Sequence, residues 1–193
     1  MKYDPARHHR QSIRLRGYDY TQAGAYFVTI VVRGRECLLG DVIGGEMRLN
    51  DYGRAVAAEW QKIPARFPHV TTDASIVMPN HLHGIIVIGD GVGAKLPPTH
   101  AMAYSKSLAG ASPLRPTGTT PGSLGAIMQN FKSTSTRQVN ALRRTSGLPL
   151  WQRNYFERII RDEQGLNRIR DYIINNPLKW TLDAENPDVA RRR

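Results

Sequence analysis

The chain has 193 residues, 40% of them apolar and 22% charged, which is enough for one domain with a modest core. No run approaches the 18 or so apolar residues of a membrane span, no apolar segment follows the basic start Met1 to Arg16, and Cys37 is the only cysteine. A transmembrane helix, a secretory signal, a disulfide framework and a cysteine-based zinc site are therefore not expected, and the reducing cytoplasm is the expected compartment.

The balance of 27 Lys and Arg against 16 Asp and Glu gives a net charge of +11. A surface of that sign attracts polyanions, nucleic acid foremost, although a membrane-surface binder or a merely basic soluble protein would share it. Nine basic and three acidic residues fall between Phe131 and Arg170, so this segment carries more than half of the net charge.

In chain order, Ala25 to Arg33 is β-branched and aromatic and predicts a central strand. Cys37 to Val42 and Glu46 to Leu49 flank Gly44-Gly45, a pair suited to the positive φ angles of a hairpin turn. Asn50 or Asp51 can cap a helix whose core stripe is Val56, Trp60 and Ile63 and which Pro64 stops. Asp73 to Met78 and Leu82 to Ile88 read as strands beside Pro79-Asn80. Gly89 to Gly122 has six Gly and five Pro and no sustained period, so a flexible insertion is expected there, spanning about residues 89–122. Ser123 can cap a helix with Leu124, Ile127, Met128, Phe131, Ser135, Val139 and Leu142 on one face. Its other face offers Lys132, Thr136, Arg137, Asn140, Arg143 and Arg144. Tyr155 to Arg161 is strand-like. Asp162 can cap a last helix with Leu166, Ile169 and Ile173 as core, ended by Pro177. The polar tail after about residue 180 is expected to fray. The pattern βαββαβα, with the hairpin set aside, predicts an α+β fold: a ferredoxin-like antiparallel sheet with helices packed on one side, in one domain over residues 1–193.

The sharpest motif is Pro79-Asn80-His81-Leu82-His83-Gly84, running into Ile85-Ile86-Val87-Ile88. Residues i and i+2 of a strand share a face, so His81 and His83 project together, about 7 Å apart along the chain, and can share a metal ion or a phosphate. Gly84 leaves room for a ligand or a neighbouring backbone. On the last helix Tyr172 and Asn176 are four apart and flank the core stripe, where a group is held by packing yet reachable. An Asn carbonyl suits magnesium or manganese, and a phenol becomes a nucleophile when a metal, or Arg168 or Arg170, favours its ionisation. The same residues also suit an ordinary amphipathic helix whose Tyr packs and whose Asn precedes Pro177.

The stretches AYFVTIVVRGRECLLG, VMPNHLHGIIVI and WQRNYFERIIRDEQGLNRIRDYIINNPLKW together resemble the REP-associated tyrosine transposases, a branch of the HUH single-strand DNA transposases, over about Gly17 to Trp180. The resemblance implies a ferredoxin-like HUH endonuclease fold, with His81, His83 and Asn176 as ligands of Mg²⁺ or Mn²⁺ and Tyr172 as the nucleophile. It implies nicking and rejoining of single-stranded or hairpin DNA of the REP-palindrome type through a 5′-phosphotyrosine, by a monomer or a homodimer. The basic residues expected along the DNA path are Lys132, Arg137, Arg143, Arg144, Arg153, Arg158 and Arg168. A non-catalytic or domesticated nucleic-acid-binding protein of the same fold is the alternative. The long insertion departs from shorter members of the family.

Overall fold

A computed structural model describes residues 18–89 and 119–190. Most of the expected insertion therefore lies outside the described residues, as does the basic start. The elements are β1 (Gly24–Val31), β2 (Gly40–Ile43), β3 (Glu46–Leu49), α1 (Asp51–Gln61), α2 (Ile63–Arg66), β4 (Val70–Val77), β5 (His81–Ile88), α3 (Leu124–Leu142), β6 (Phe156–Ile160), α4 (Glu163–Ile174) and α5 (Pro187–Ala190). Short 3₁₀ turns occupy Arg33–Arg35 and Pro177–Leu182. The main sheet is antiparallel throughout, in the order β4-β5-β1-β6. β2 and β3 form a separate hairpin about Gly44-Gly45, whose φ angles of 61° and 81° are those the glycines were expected to supply.

The local signals act as read. Asn50 Oδ1 accepts from the Gly53 amide at the start of α1, Ser123 Oγ from Ala126 at α3, and Asp162 Oδ1 from Gly165 at α4. Each cap satisfies an otherwise orphaned amide, an interaction of about 1 kcal/mol.

Alternation along β1 and β5 divides the sheet into two faces. Tyr26, Val28, Ile30, Leu82, Ile86 and Ile88 pack with Val56 and Trp60 of α1 and Leu124, Ile127, Met128 and Phe131 of α3. Phe27, Ile85 and Val87 pack with Ile160 and with Leu166, Ile169 and Ile173 of α4. The antiparallel sheet of a ferredoxin-like α+β fold is thus present, with α1 and α3 together on one face. The departure from the one-sided arrangement is α4, which covers the other face. All eight residues of β5 are buried in consequence. Leu142, the last residue of the expected α3 stripe, is exposed at the end of its helix.

Gly84 serves protein packing. A Cβ there would come within 2.7 Å of Trp60 Cη2 and 2.9 Å of Cε2, so the glycine makes room for the indole of α1 on the face away from the histidines. Fraying is the sequence expectation for the tail after about residue 180, but Ala184 and Glu185 are tied to the body of the domain. Asn80 Nδ2 donates to the Glu185 carbonyl at 2.7 Å, Arg35 donates to the Ala184 carbonyl at 2.8 Å, and Arg35 pairs with the Glu185 carboxylate at 3.1 Å. The buried Asn80 amide finds its acceptor in the tail, and these contacts override the weak local propensity there.

Candidate active site at the end of the central strand

His81 and His83 open β5 with their side chains on the α4 face. Both are buried, and their Nε2 atoms lie 3.0 Å apart. Their outer nitrogens are fixed by neighbours. Asn80 uses its amide NH₂ on the carbonyls of Arg35 and Glu185, at 3.0 and 2.7 Å, so its Oδ1 is an acceptor. It faces His81 Nδ1 at 2.9 Å, which must therefore carry the proton and leave Nε2 as a bare lone pair. His83 Nδ1 lies 2.8 Å from Thr29 Oγ1 on the adjacent strand. If His83 Nδ1 donates to that hydroxyl, both Nε2 lone pairs face one another.

Burial disfavours the charged form of both rings. It holds the His81 imidazolium down at about 4, with Arg35 adding to the effect and Asp183 opposing it. Burial, and then the neighbouring His81, hold His83 well below the usual histidine range. Two neutral imidazoles at neutral pH are what cation ligation requires.

α4 brings up the third group. Its Leu166, Ile169 and Ile173 dock on the sheet, and Arg170 ties it to β4: Nε to Asp73 Oδ1 at 2.8 Å and Nη2 to Oδ2 at 2.6 Å. Asp73 stands at the irregularity where the β4–β5 register shifts. So held, α4 places the Tyr172 hydroxyl 3.2 Å from His83 Nε2. The tyrosine is 42% exposed, so a bulky substrate can reach it. Burial and the Asp183 carboxylate raise its pKa, with Asn176 opposing them, so the phenol is protonated at rest. Arg170, considered from sequence as an activator, is taken up by Asp73, and Arg168 is exposed.

Asn176 follows the end of α4 by two residues and begins the 3₁₀ turn. It is buried, its Nδ2 donates to Asp183 Oδ2 at 3.1 Å, and its Oδ1 has no hydrogen-bond partner among the described residues. A buried amide oxygen without a donor is costly unless a cation or water meets it. Asp183 Oδ2 lies 4.0 Å from His81 Nε2, and ligand atoms of His81, His83 and Asp183 all fall within 4.8 Å of one another. Two ligand nitrogens about 2.1 Å from one ion, near a right angle, would themselves be about 3 Å apart. The donor set of two neutral imidazoles, an unmatched amide oxygen and a carboxylate fits a divalent cation.

Sequence reasoning did not single out Asp183. The signal that the tail is structured was Asn186-Pro187, an N-cap residue followed by proline at the first helical position. Asn186 Oδ1 accepts from the Asp188 amide at 3.0 Å, and its Nδ2 donates to the Trp180 carbonyl at 2.9 Å.

The site opens into a cleft of about 1080 Å³. Of the seven basic residues expected on the DNA path, Lys132 and Arg153 line it, and Arg137 lines an adjoining groove that shares both of them. Lys132 is not a free surface cation. Its ammonium donates to the carbonyls of Gln152 and Arg153, at 2.5 and 2.9 Å, and burial pulls its pKa down to about 8. Arg143 is occupied by Asn140 Oδ1 and the Leu148 carbonyl. Arg143, Arg144, Arg158 and Arg168 line neither cavity, whereas Arg35 and Lys179, not anticipated, line the cleft. Tyr155 reaches the cleft but packs against the α1/α3 core.

No family model matches the chain. An uncharacterized protein of Haemophilus influenzae is 41% identical over 183 residues, covering 94% of this chain and 96% of its own. A second protein of that organism, named "Putative REP-associated tyrosine transposase", is 26% identical over 164 residues, covering 83% of this chain and 74% of its own. Among solved structures, a REP-associated tyrosine transposase bound to a REP hairpin matches 86% of this chain and 73% of its own, with a TM-score of 0.52 at 18% identity.

Proposed function

We propose that this chain, which belongs to one family with its 41% identical Haemophilus influenzae relative and carries the motifs and fold of the REP-associated tyrosine transposases, is a metal-dependent single-strand DNA endonuclease and strand transferase. Its substrate is repetitive palindromic hairpin DNA, the partner named for the solved relative. One observation carries the reading. A half-exposed tyrosine hydroxyl, two facing imidazole nitrogens and an unmatched buried amide oxygen converge at the end of the central strand.

His81, His83 and Asn176, with Asp183 beside them, would hold Mg²⁺ or Mn²⁺, whose charge would polarise a nonbridging oxygen of the scissile phosphate. The remaining work falls to the chain. Tyr172 Oη bonds to phosphorus while the bond from phosphorus to the 3′-oxygen breaks. The phenolic proton passes to water in the open cleft, and the departing oxygen takes one up as a 3′-hydroxyl. The 5′-phosphotyrosine keeps the phosphodiester energy, so a 3′-hydroxyl can reverse the step and join a new strand without ATP. α4, fixed by its apolar stripe and by the Arg170–Asp73 pair, holds the phenol in place. Arg153 and Lys179 supply positive charge along the strand's path in the cleft.

The test is a covalent adduct with single strands from the host's intergenic repeats. Tyr172→Phe removes the adduct and leaves DNA affinity within about a factor of ten. Tyr155→Phe still forms it. An adduct peptide mapped to Tyr155 would overturn the assignment.

A further inference from the structure

An exposed phenylalanine lines the cleft beside the nucleophile. Phe156 is 41% exposed and begins β6, the edge strand of the sheet. In register it faces Thr29, which faces His83, so the three form one cross-strand row over β6, β1 and β5. Paired residues share a face, and this is the face that carries the histidines and α4. The buried ring of Phe27 lies between the two accessible aromatics. It meets Phe156 edge-on at 6.4 Å on one side and Tyr172 edge-on at 6.0 Å on the other. Phe156 is thus steadied on one side by the core, and it lines a cleft rimmed by Gln152, Arg153 and Asn154.

We propose that Phe156 is the stacking platform for the base of the nucleotide adjoining the scissile phosphate. This rests on the phosphotyrosine reading above, because Tyr172 defines where that phosphate lies. Two strand spacings put the Phe156 Cα about 10 Å from that of His83. A base one nucleotide from a phosphate at Tyr172 can span that gap. The surroundings suit a nucleotide: Gln152, Arg153 and Asn154 line the cleft beside Phe156 and offer a cation and amide groups that a phosphate and a base edge can meet. Stacking on an aromatic face is the sequence-tolerant way to hold a single strand. It also splays the adjoining base away from its neighbour and opens the phosphate to attack.

The measurement is made first on Tyr172→Phe protein, in which no chemistry occurs. The probe is a six-nucleotide thymidine strand with 2-aminopurine placed at each position in turn. With Phe156 present, fluorescence is quenched at one position. Phe156→Ala removes the quenching and weakens binding about tenfold. Phe156→Trp restores both, and Phe156→Leu restores neither. Unchanged binding and quenching in Phe156→Ala, or full restoration by Leu, overturns the proposal. The thermal midpoint of each variant is recorded, and the Trp variant decides the matter if Ala unfolds.

With Tyr172 intact, an abasic nucleotide next to the mapped cleavage position raises KM about tenfold with little change in kcat, and does so only when Phe156 is present. An equal effect in Phe156→Ala overturns the placement of the base. Failure of the intact protein to form any adduct refutes the nucleophile instead, a result distinguishable from the stacking measurement because that one needs no chemistry.

Discussion

Replacing Gly84 by alanine separates packing from ligand binding as the reason for the glycine. The added methyl would sit 2.7 Å from Trp60 Cη2 and 2.9 Å from Cε2, and nearer still to Cζ2. Ordinary carbon contacts begin near 3.5 Å, so the strand or the ring must yield by about 1 Å. The ring has little freedom: Trp60 is 1% exposed and meets Phe131 edge-on at 5.3 Å. Overpacking of a well-filled core costs about 1–3 kcal/mol, and backbone and ring are both confined here, so about 3 kcal/mol is expected. For a chain of this length that lowers Tm by about 6–12 °C. Thermal and urea denaturation of Gly84→Ala, Trp60→Leu and the double variant measures it. The double variant should recover at least about 1 kcal/mol relative to the sum of the singles, because the leucine vacates the space the methyl needs. Below its Tm, Gly84→Ala should bind single-stranded DNA as the parent does, since the methyl points away from His83. A change under about 0.5 kcal/mol, strict additivity, or lost DNA binding in a stably folded variant would refute the reasoning.

Other outcomes follow from the same geometry. Chelation should stop strand cleavage and Mg²⁺ or Mn²⁺ should restore it, while His81→Ala combined with His83→Ala should abolish cleavage but retain hairpin binding by gel shift. The Arg170 hydrogen bonds hold the Asp73 carboxyl below its ordinary value, outweighing its partial burial. The pair therefore stabilises the fold fully above pH about 4 and progressively less as pH falls through the folded-state pKa. Asp73→Asn should cost about 1 kcal/mol at pH 7 and flatten that part of the acid limb in a plot of Tm against pH. At the insertion, the Gly89 amide donates to the His69 carbonyl at 2.8 Å, and His69 Nε2 lies 3.1 Å from the Gly122 carbonyl oxygen. Both ends meet at one residue, so replacing 90–118 by a short Gly/Ser linker should leave cooperative unfolding intact, as loop-closure entropy changes slowly with length. Loss of a sigmoidal thermal transition would contradict this.

What the sequence determined by itself is what short-range periodicity determines. Period 2 puts His81 and His83 on one face of β5, and the stripe Leu166, Ile169 and Ile173 sets the face of α4 that docks and so the flank on which Tyr172 stands. Asn176, expected one turn further on the same helix, instead lies past its end, at the start of the 3₁₀ turn. Asn50, Ser123 and Asp162 mark their helix starts because a cap acts on amides two or three residues away. The tertiary structure decided which face each helix covers, and with it the site. That α4 lies opposite α1 and α3 depends on residues distant in the chain, such as Arg170 paired with Asp73 and Ile173 in one apolar cluster with Phe27 and Ile85. A hint was present in Ile85-Ile86-Val87-Ile88, an unbroken apolar run of the kind that a strand covered on both faces requires. The place of Trp60 over Gly84, the fastening of Ala184 and Glu185 by Arg35 and Asn80, and the delivery of Asp183 to His81 had no local signature. Each is a pairing across more than 20 residues, whose partners the chain selects only when burial leaves their polar or bulky groups no other match.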